Sequence, residues 1–292
     1  MEKKNILITG ATDGIGKETA RALAKQGHKV ILHGRSLKKA EAVVREIKAE
    51  QPKADLDILT ADLLSFRSIE QMTEEFYKRY DYLDVLINNA GTVFSTERVM
   101  TEDGEERTFQ LNVFAPFLLT NLLLPALEKS KSARVVIESS AAHGAARKPD
   151  FDDMHCEKEY GAQSNYSTSK LYVLWMGQHF AKVLEARGVN NVTVNITHPG
   201  ASNTKFGRDE KKGFLTDLIY KATMWSYDKP EAACQSEVYL ATSPEVEGIS
   251  GRYYSNKSKE QRPNTRYYTP ENEQALWDYC VKVCKPWMKQ EL

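Results

Sequence analysis

Six short runs dense in Val, Ile and Leu alternate with longer stretches whose apolar residues recur at helical spacing, and this alternation leaves few folds open. The runs are Asn5–Thr9, His28–His33, Leu56–Ala61, Val85–Asn88, Arg134–Glu138 and Val192–Thr197. Nearly continuous apolar strands belong to a parallel sheet covered on both faces. The stretches between them, such as Ile15–Gln26, Leu37–Glu50 and Phe66–Tyr80, carry charge on one side and Ala, Leu or Ile on the other, as crossover helices do. The pattern predicts an α/β fold, a doubly wound parallel sheet. It runs through residues 1–292 with no repeat of roughly 20–50 residues and no Pro/Ser-rich linker, so one domain is expected. The alternation breaks at residues 201–228, where polar residues, Gly207 and Gly213 precede an apolar stretch, Phe214–Trp225. Ligands of open sheets bind beyond the carboxyl ends of the strands, so this excursion after strand six is a candidate substrate lid.

The 40 Lys and Arg balance the 40 Asp and Glu. With no net charge, no overall field draws the chain to nucleic acid or to an anionic membrane. The most apolar stretch, Val113–Leu127, contains Pro116, Thr120, Asn121 and Pro125 and is shorter than the about 20 residues of a membrane span. It predicts a core helix. The opening MEKKNILITG passes within a few residues into a strand-like run, so neither an export signal nor a membrane anchor is expected. Cys156, Cys234, Cys280 and Cys284 show no CxxC spacing, which points to packing rather than to a metal site. Reduced thiols suit a cytoplasmic protein.

The first run ends in Thr9-Gly10-Ala11-Thr12-Asp13-Gly14-Ile15-Gly16 and passes straight into a helix-forming segment. A glycine-rich turn from strand into helix brings backbone N–H groups and the positive helix end against a pyrophosphate, with glycine wherever a Cβ would block the approach. Gly10, Thr12, Asp13, Gly14, Ile15 and Gly16 are therefore candidate dinucleotide contacts, although G-x-x-x-G-x-G is not the commoner G-x-G-x-x-G spacing. At the end of the second run, where an NAD site normally has a carboxylate, stand His33-Gly34-Arg35-Ser36. A guanidinium can clasp a 2′-phosphate in fork geometry, a contact of about 1.5–3 kcal/mol, so Arg35 favours NADP over NAD. The carboxylate of Asp13, near the same phosphate, acts in the opposite direction.

Tyr166-Ser167-Thr168-Ser169-Lys170 supplies candidate chemistry. Residues four apart on a helix share a face, and an ammonium beside a phenol draws its pKa down from about 10, toward a useful proton donor. The same spacing recurs at Tyr253 and Lys257, but in a strand-like setting that separates the two by about 13 Å. The helical pair, expected on Tyr166–Arg187, also follows a strand ending in Glu138-Ser139-Ser140, which puts a hydroxyl at the carboxyl edge of the sheet.

Together these residues resemble the short-chain dehydrogenase/reductase family over nearly the whole chain, in the family's order. The resemblance rests on TGATDGIG at Thr9–Gly16, Asp62-Leu63, NNAG at Asn88–Gly91, Asn112, Ser139-Ser140, YSTSK at Tyr166–Lys170 and HPG at His198–Gly200. GIGKETARALA, TEDGEERTFQLN, FLLTNLLLPAL and SGRYYSN are similar to its retinol-dehydrogenase-like branch, with relatives of the WW-domain oxidoreductase and protochlorophyllide reductase. The resemblance implies a Rossmann-type fold in which Tyr166 exchanges a proton with the substrate oxygen. Lys170 would bind the nicotinamide ribose and depress the tyrosine pKa, and Ser140 would orient the carbonyl. Asn112 would hold, through its helix backbone, a water linking Lys170 to solvent. Asp62 and Leu63 would flank the adenine, Asn89, Ala90 and Gly91 the adenosine side, and Pro199, Gly200 and Thr204 the carboxamide.

The segment His143–Asn165 is longer than the corresponding gap in many members and is expected to border the substrate, and Val-Phe-Ala-Pro after Asn112 replaces a Gly-His step common in the branch. The expected activity is NADP(H)-dependent interconversion of a small-molecule aldehyde or ketone and its alcohol, without the anchoring helix of retinoid enzymes. Reduction of a C=C bond, or an NADP-binding sensor or scaffold without turnover, are the alternatives. His143 and His198 are expected in loop and strand-end positions. Late aromatics, with eight of the 14 tyrosines beyond residue 219, suit either an aromatic pocket or C-terminal packing. The helices around Leu111–Leu127 and Tyr166–Arg187 could pair two copies as a homodimer or pack within the chain.

Overall fold

β1 (Asn5–Ile8), β2 (Lys29–Gly34), β3 (Asp55–Thr60), β4 (Val85–Asn88), β5 (Ala133–Glu138) and β6 (Val192–Thr197) lie in the spatial order 3-2-1-4-5-6 in a computed structural model. All six are parallel. β7 (Tyr253–Tyr254) extends the sheet beside β6, and β8 (Glu260–Gln261) closes its edge antiparallel. The structure describes residues 2–94, 97–200 and 230–288. The expected lid lies outside them.

Crossover helices cover both faces. α1 (Gly14–Lys25), α2 (Leu37–Glu50) and α3 (Phe66–Arg79) start one residue after Asp13, Ser36 and Ser65, whose side-chain oxygens accept first-turn N–H groups. β1 stops at Ile8, leaving Thr9 in the turn, whereas β2 runs one residue further than expected, to Gly34. α4 (Arg107–Glu128) widens into a π-helical stretch at Gln110–Phe114. Among the described residues it is the helix long and apolar enough to cross a membrane, but 83% of its apolar window is buried inside the protein, as a core helix requires. α5 (Ala162–Ala186) begins four residues before Tyr166, because extended Gly161, whose carbonyl accepts the Asn165 N–H, is its N-cap. Tyr166 thus sits in the second turn of the helix and not at its start.

β6 leads on to α6 (Gln235–Thr242), which packs with α1 against the same face of the sheet, around Ile6, Ile8, Val136 and Leu240. On the other face α7 (Pro270–Cys284) lies across α4 and α5. Its Trp277 meets Phe117 of α4 and Phe180 of α5 edge-on, with ring centroids 5.1 and 4.8 Å away. Cys280 and Cys284 are fully buried there, packing as expected. A buried carboxylate fastens the contact: Glu273 accepts from His179 at 2.8 Å, from Lys182 at 2.7 Å and from the Tyr268 hydroxyl at 2.7 Å. These partners hold its carboxyl at about 2 despite burial. Part of the apolar surface of α4 and α5 is thus used in packing within the chain, as are the late aromatics at 267, 268, 277 and 279.

Candidate functional site

At the carboxyl ends of β1, β2 and β4 the chain leaves a cleft of about 340 Å³. It is lined by Gly10, Thr12, Asp13, Gly14, Ile15 and Gly16 from the first turn, Arg35, Asp62 and Leu63 from the next two, and Asn89, Ala90 and Gly91 from the fourth. A larger hollow of about 740 Å³, bordered by Trp175, Lys182, Arg252 and Tyr268, contains none of the anticipated residues.

The turn is shaped by close contact. Gly10 and Gly14 have φ of +68° and +55°, where a Cβ is strained. A Cβ on Gly16 would stand 2.6 Å from the Gly10 carbonyl oxygen and 2.4 Å from Asn89 Nδ2. Asn89 spends its amide on the turn, donating to the Thr9 carbonyl at 2.7 Å, and the Ala90 N–H donates to the Thr9 hydroxyl at 3.0 Å. The cradle is thus open to a pyrophosphate because side chains are missing where one would approach. Asp13 is the N-cap of α1, 2.8 Å from the Gly14 nitrogen, and Arg35 stands exposed at the cleft rim. Gly34 makes room for Thr12, since a Cβ there would meet Thr12 Cγ2 at 2.3 Å.

His33 was not anticipated as part of this turn. Wholly buried at the end of β2, it contacts the Ala61 carbonyl through Nε2 at 3.2 Å and the Gly10 N–H through Nδ1 at 3.3 Å. One tautomer satisfies both, Nδ1 accepting and Nε2 donating. Burial lowers its pKa to about 4, which keeps the ring neutral.

Beside the cleft, α5 and the segment after β5 bring Ser140, Tyr166 and Lys170 together. The Tyr166 and Ser140 side chains share a hydrogen bond, and Ser140 Oγ also accepts the Ala142 N–H at 3.1 Å. Lys170 Nζ lies 5.9 Å from the centroid of the Tyr166 ring and donates to the Glu138 carbonyl at 2.8 Å. Gly91 admits the ammonium, since a Cβ there would be 2.9 Å from Nζ. Burial dominates the acid–base balance. It pushes the Tyr166 phenol far above its ordinary value, with the Ser140 bond opposing and the Glu138 charge adding to the rise. The lowering expected from Lys170 is not seen: burial, Ser140 and Glu138 set the shift. Lys170 is itself lowered by burial, against the charges of Glu138 and Glu237.

Asn112 lies in the π-helical stretch and works through its side chain. It accepts the Thr92 N–H, donates to the Thr92 carbonyl, both at 3.1 Å, and donates to Ser169 Oγ at 2.9 Å, so it ties α4 to α5 one residue from Lys170. His143 Nδ1 contacts the Ser140 carbonyl at 2.7 Å and fixes the backbone beneath the serine. His198 accepts the N–H of Gly200, whose φ is +75°, and its ring packs on Tyr253. Pro199 is buried, and Thr204 lies outside the described residues. Tyr253 is on β7 and fully buried, so the second Tyr-x-x-x-Lys spacing forms no helical pair. Among the described residues no cluster of three or more His, Cys, Asp or Glu is placed to hold a metal.

Residues 4–213 match the family model described as short chain dehydrogenase. The chain belongs to the short-chain dehydrogenase/reductase family. Within it the chain is similar to the retinol-dehydrogenase-like branch. Retinol dehydrogenase 14 of Homo sapiens is 36% identical over 292 residues, covering 95% of this chain and 85% of that protein. Polyprenol dehydrogenase of Homo sapiens is 38% identical over 276 residues, covering 93% and 82%. A solved structure from Mycobacterium paratuberculosis superposes on this short-chain dehydrogenase with a TM-score of 0.75 at 26% identity, covering 97% of this chain and 93% of that one.

Proposed function

We propose that the protein is an NADP(H)-dependent oxidoreductase that interconverts an aldehyde or ketone and its alcohol. The observation that carries this reading is the hydrogen-bonded Ser140–Tyr166 pair, with Lys170 behind it, beside a glycine-turn cleft. Gly10, Gly14, Gly16 and Arg35 would hold the cofactor in that cleft, and it would supply or accept the hydride there. Ser140 orients the carbonyl oxygen, and Tyr166 gives that oxygen its proton in reduction or takes it from the alcohol in oxidation. A phenol kept fully protonated by burial is suited to the donor role. Arg35, exposed at the rim where an NAD site has a carboxylate, supports NADP. Four free, buried cysteines support a reducing, cytoplasmic setting.

The test follows cofactor absorbance with NADPH or NADH and a panel of aliphatic, aromatic and allylic aldehydes, ketones and quinones. The aldehydes and alcohols of retinol and polyprenol are included because of the relatives' names. Turnover that prefers NADPH and is lost in Tyr166→Phe is expected. Wild-type rates in that variant would remove Tyr166 as the proton donor, and NADPH binding without turnover on any substrate would favour a sensor.

A further inference from the structure

Glu138 ends β5 after the apolar Val135, Val136 and Ile137 and turns its carboxyl away from α5. Ser139, the next residue, faces α5 and donates its hydroxyl to the Lys170 carbonyl at 2.7 Å, and side chains alternate along a strand. On the opposite face Glu138 meets Glu237, wholly buried on α6, closely enough for the two carboxyls to interact directly. Glu237 Oε2 accepts the Thr19 hydroxyl from α1. One oxygen of each side chain, Glu138 Oε2 and Glu237 Oε1, is buried without any donor. Two carboxylates offer only acceptors, so a bond between them requires a proton on one.

The pair is joined to the site. Glu138 lines the cleft, and its carbonyl holds the Lys170 ammonium. Glu138 and then Glu237 are the charges that favour protonated Lys170 against burial. Burial raises both carboxyls, Glu138 to about 7. Besides Lys170, Tyr166 on α5 feels Glu138, and the Cys234 thiol before α6 feels Glu237. α1 offers the uncharged Thr19, while Arg134 of β5, at the far end of α6, is engaged by the Leu240 and Ser243 carbonyls and by Glu247.

We propose that Glu138 and Glu237 share a single proton as an acid pair at the floor of the cleft, and that the one negative charge left on the pair keeps Lys170 protonated and sets the alkaline limit of the working pH range. The inference rests on the oxidoreductase reading for its second half only. Both glutamates are positioning residues, acting through Lys170.

Glu138→Gln, Glu237→Gln and the double variant are compared with wild type by denaturant unfolding of the cofactor-free protein, by NADPH affinity, and by rate, each between about pH 6 and 9. A carboxyl held protonated in the fold binds more protons there than in the unfolded chain, so wild-type stability falls as pH rises through about 7. The double variant removes that fall, because neither amide titrates, and each single variant leaves only the part owed to the remaining carboxyl. The double variant moves the alkaline limb of NADPH affinity and of rate down by about one pH unit or more, since Lys170 loses its counter-charge. Superimposable unfolding profiles of wild type and double variant would overturn the shared proton, and an unmoved alkaline limb would overturn the link to Lys170. Should the variants fail to fold, the absence of a protonated-carboxyl infrared band from wild type at neutral pH overturns the pair by itself. If wild type binds NADPH but turns over no substrate, the oxidoreductase reading fails while the unfolding and affinity profiles still decide this one.

Discussion

His33 supports the Gly10 N–H through Nδ1 at 3.3 Å, so the phosphate-facing turn rests on an imidazole that must stay neutral. Protonation would put a hydrogen on the accepting nitrogen and set two donors against each other. The ring is held at about 4 in the fold against 6.5 when unperturbed, so on acidification the unfolded chain takes up its proton first. Stability is therefore lost as pH falls from about 6.5 toward 4. In His33→Leu this part of the acid slope disappears and NADPH affinity drops about tenfold, the loss of one buried hydrogen bond. Parallel acid unfolding profiles for wild type and variant would exclude the role.

Tyr166→Phe removes a hydroxyl that is hydrogen-bonded to Ser140 and leaves the ring packed. Turnover is expected to fall by about 10²–10⁴-fold, the usual contribution of a positioned proton donor, with thermal stability and NADPH affinity nearly unchanged. Steady-state rates beside a binding titration separate the two effects.

Arg35→Ala is expected to weaken NADPH by about 10–100-fold while NADH is hardly affected, and the remaining NADPH affinity should depend less on salt. Equal losses for the two cofactors would mean that Arg35 does not read the 2′-phosphate.

Two glycine substitutions should separate binding from chemistry. In Gly16→Ala the new Cβ would stand 2.6 Å from a backbone oxygen that cannot give way, so both stability and NADPH affinity fall. In Gly91→Ala the 2.9 Å neighbour is the flexible end of Lys170, so the protein folds but the ammonium is displaced. There the rate constant is expected to drop more than melting temperature does.

Much of this architecture was legible because strands buried on both faces must be apolar throughout, as VVI in β5 and VLI in β4 are, and the crossover helices must be amphipathic. Boundaries shifted by a residue or more where a cap decided them, as Gly161 did for α5. The Ser140, Tyr166 and Lys170 cluster was readable because helical spacing and the strand end define it locally. His33 and Glu237 were not, since their partners Gly10, Ala61, Thr19 and Glu138 come from remote parts of the chain. Glu138 did leave a signal: a carboxylate ending a strand in a doubly covered sheet needs a partner.

Trp277→Ala removes the ring wedged between Phe117 and Phe180 and should cost about 3–5 kcal/mol. Calorimetry measures the loss, and light scattering tests whether the uncovered faces of α4 and α5 then draw copies together.

That wedge also sets an order of events during synthesis. Once β6 has left the ribosome, Asn112, Ser140, Tyr166 and Lys170 are all outside, yet α4 and α5 still lack the Trp277 ring that covers Phe117 and Phe180. Trp277 fills that groove when residues 270–284 emerge. A nascent chain therefore passes through a stage with its site residues made and a greasy flank uncovered, which is the kind of surface a chaperone holds.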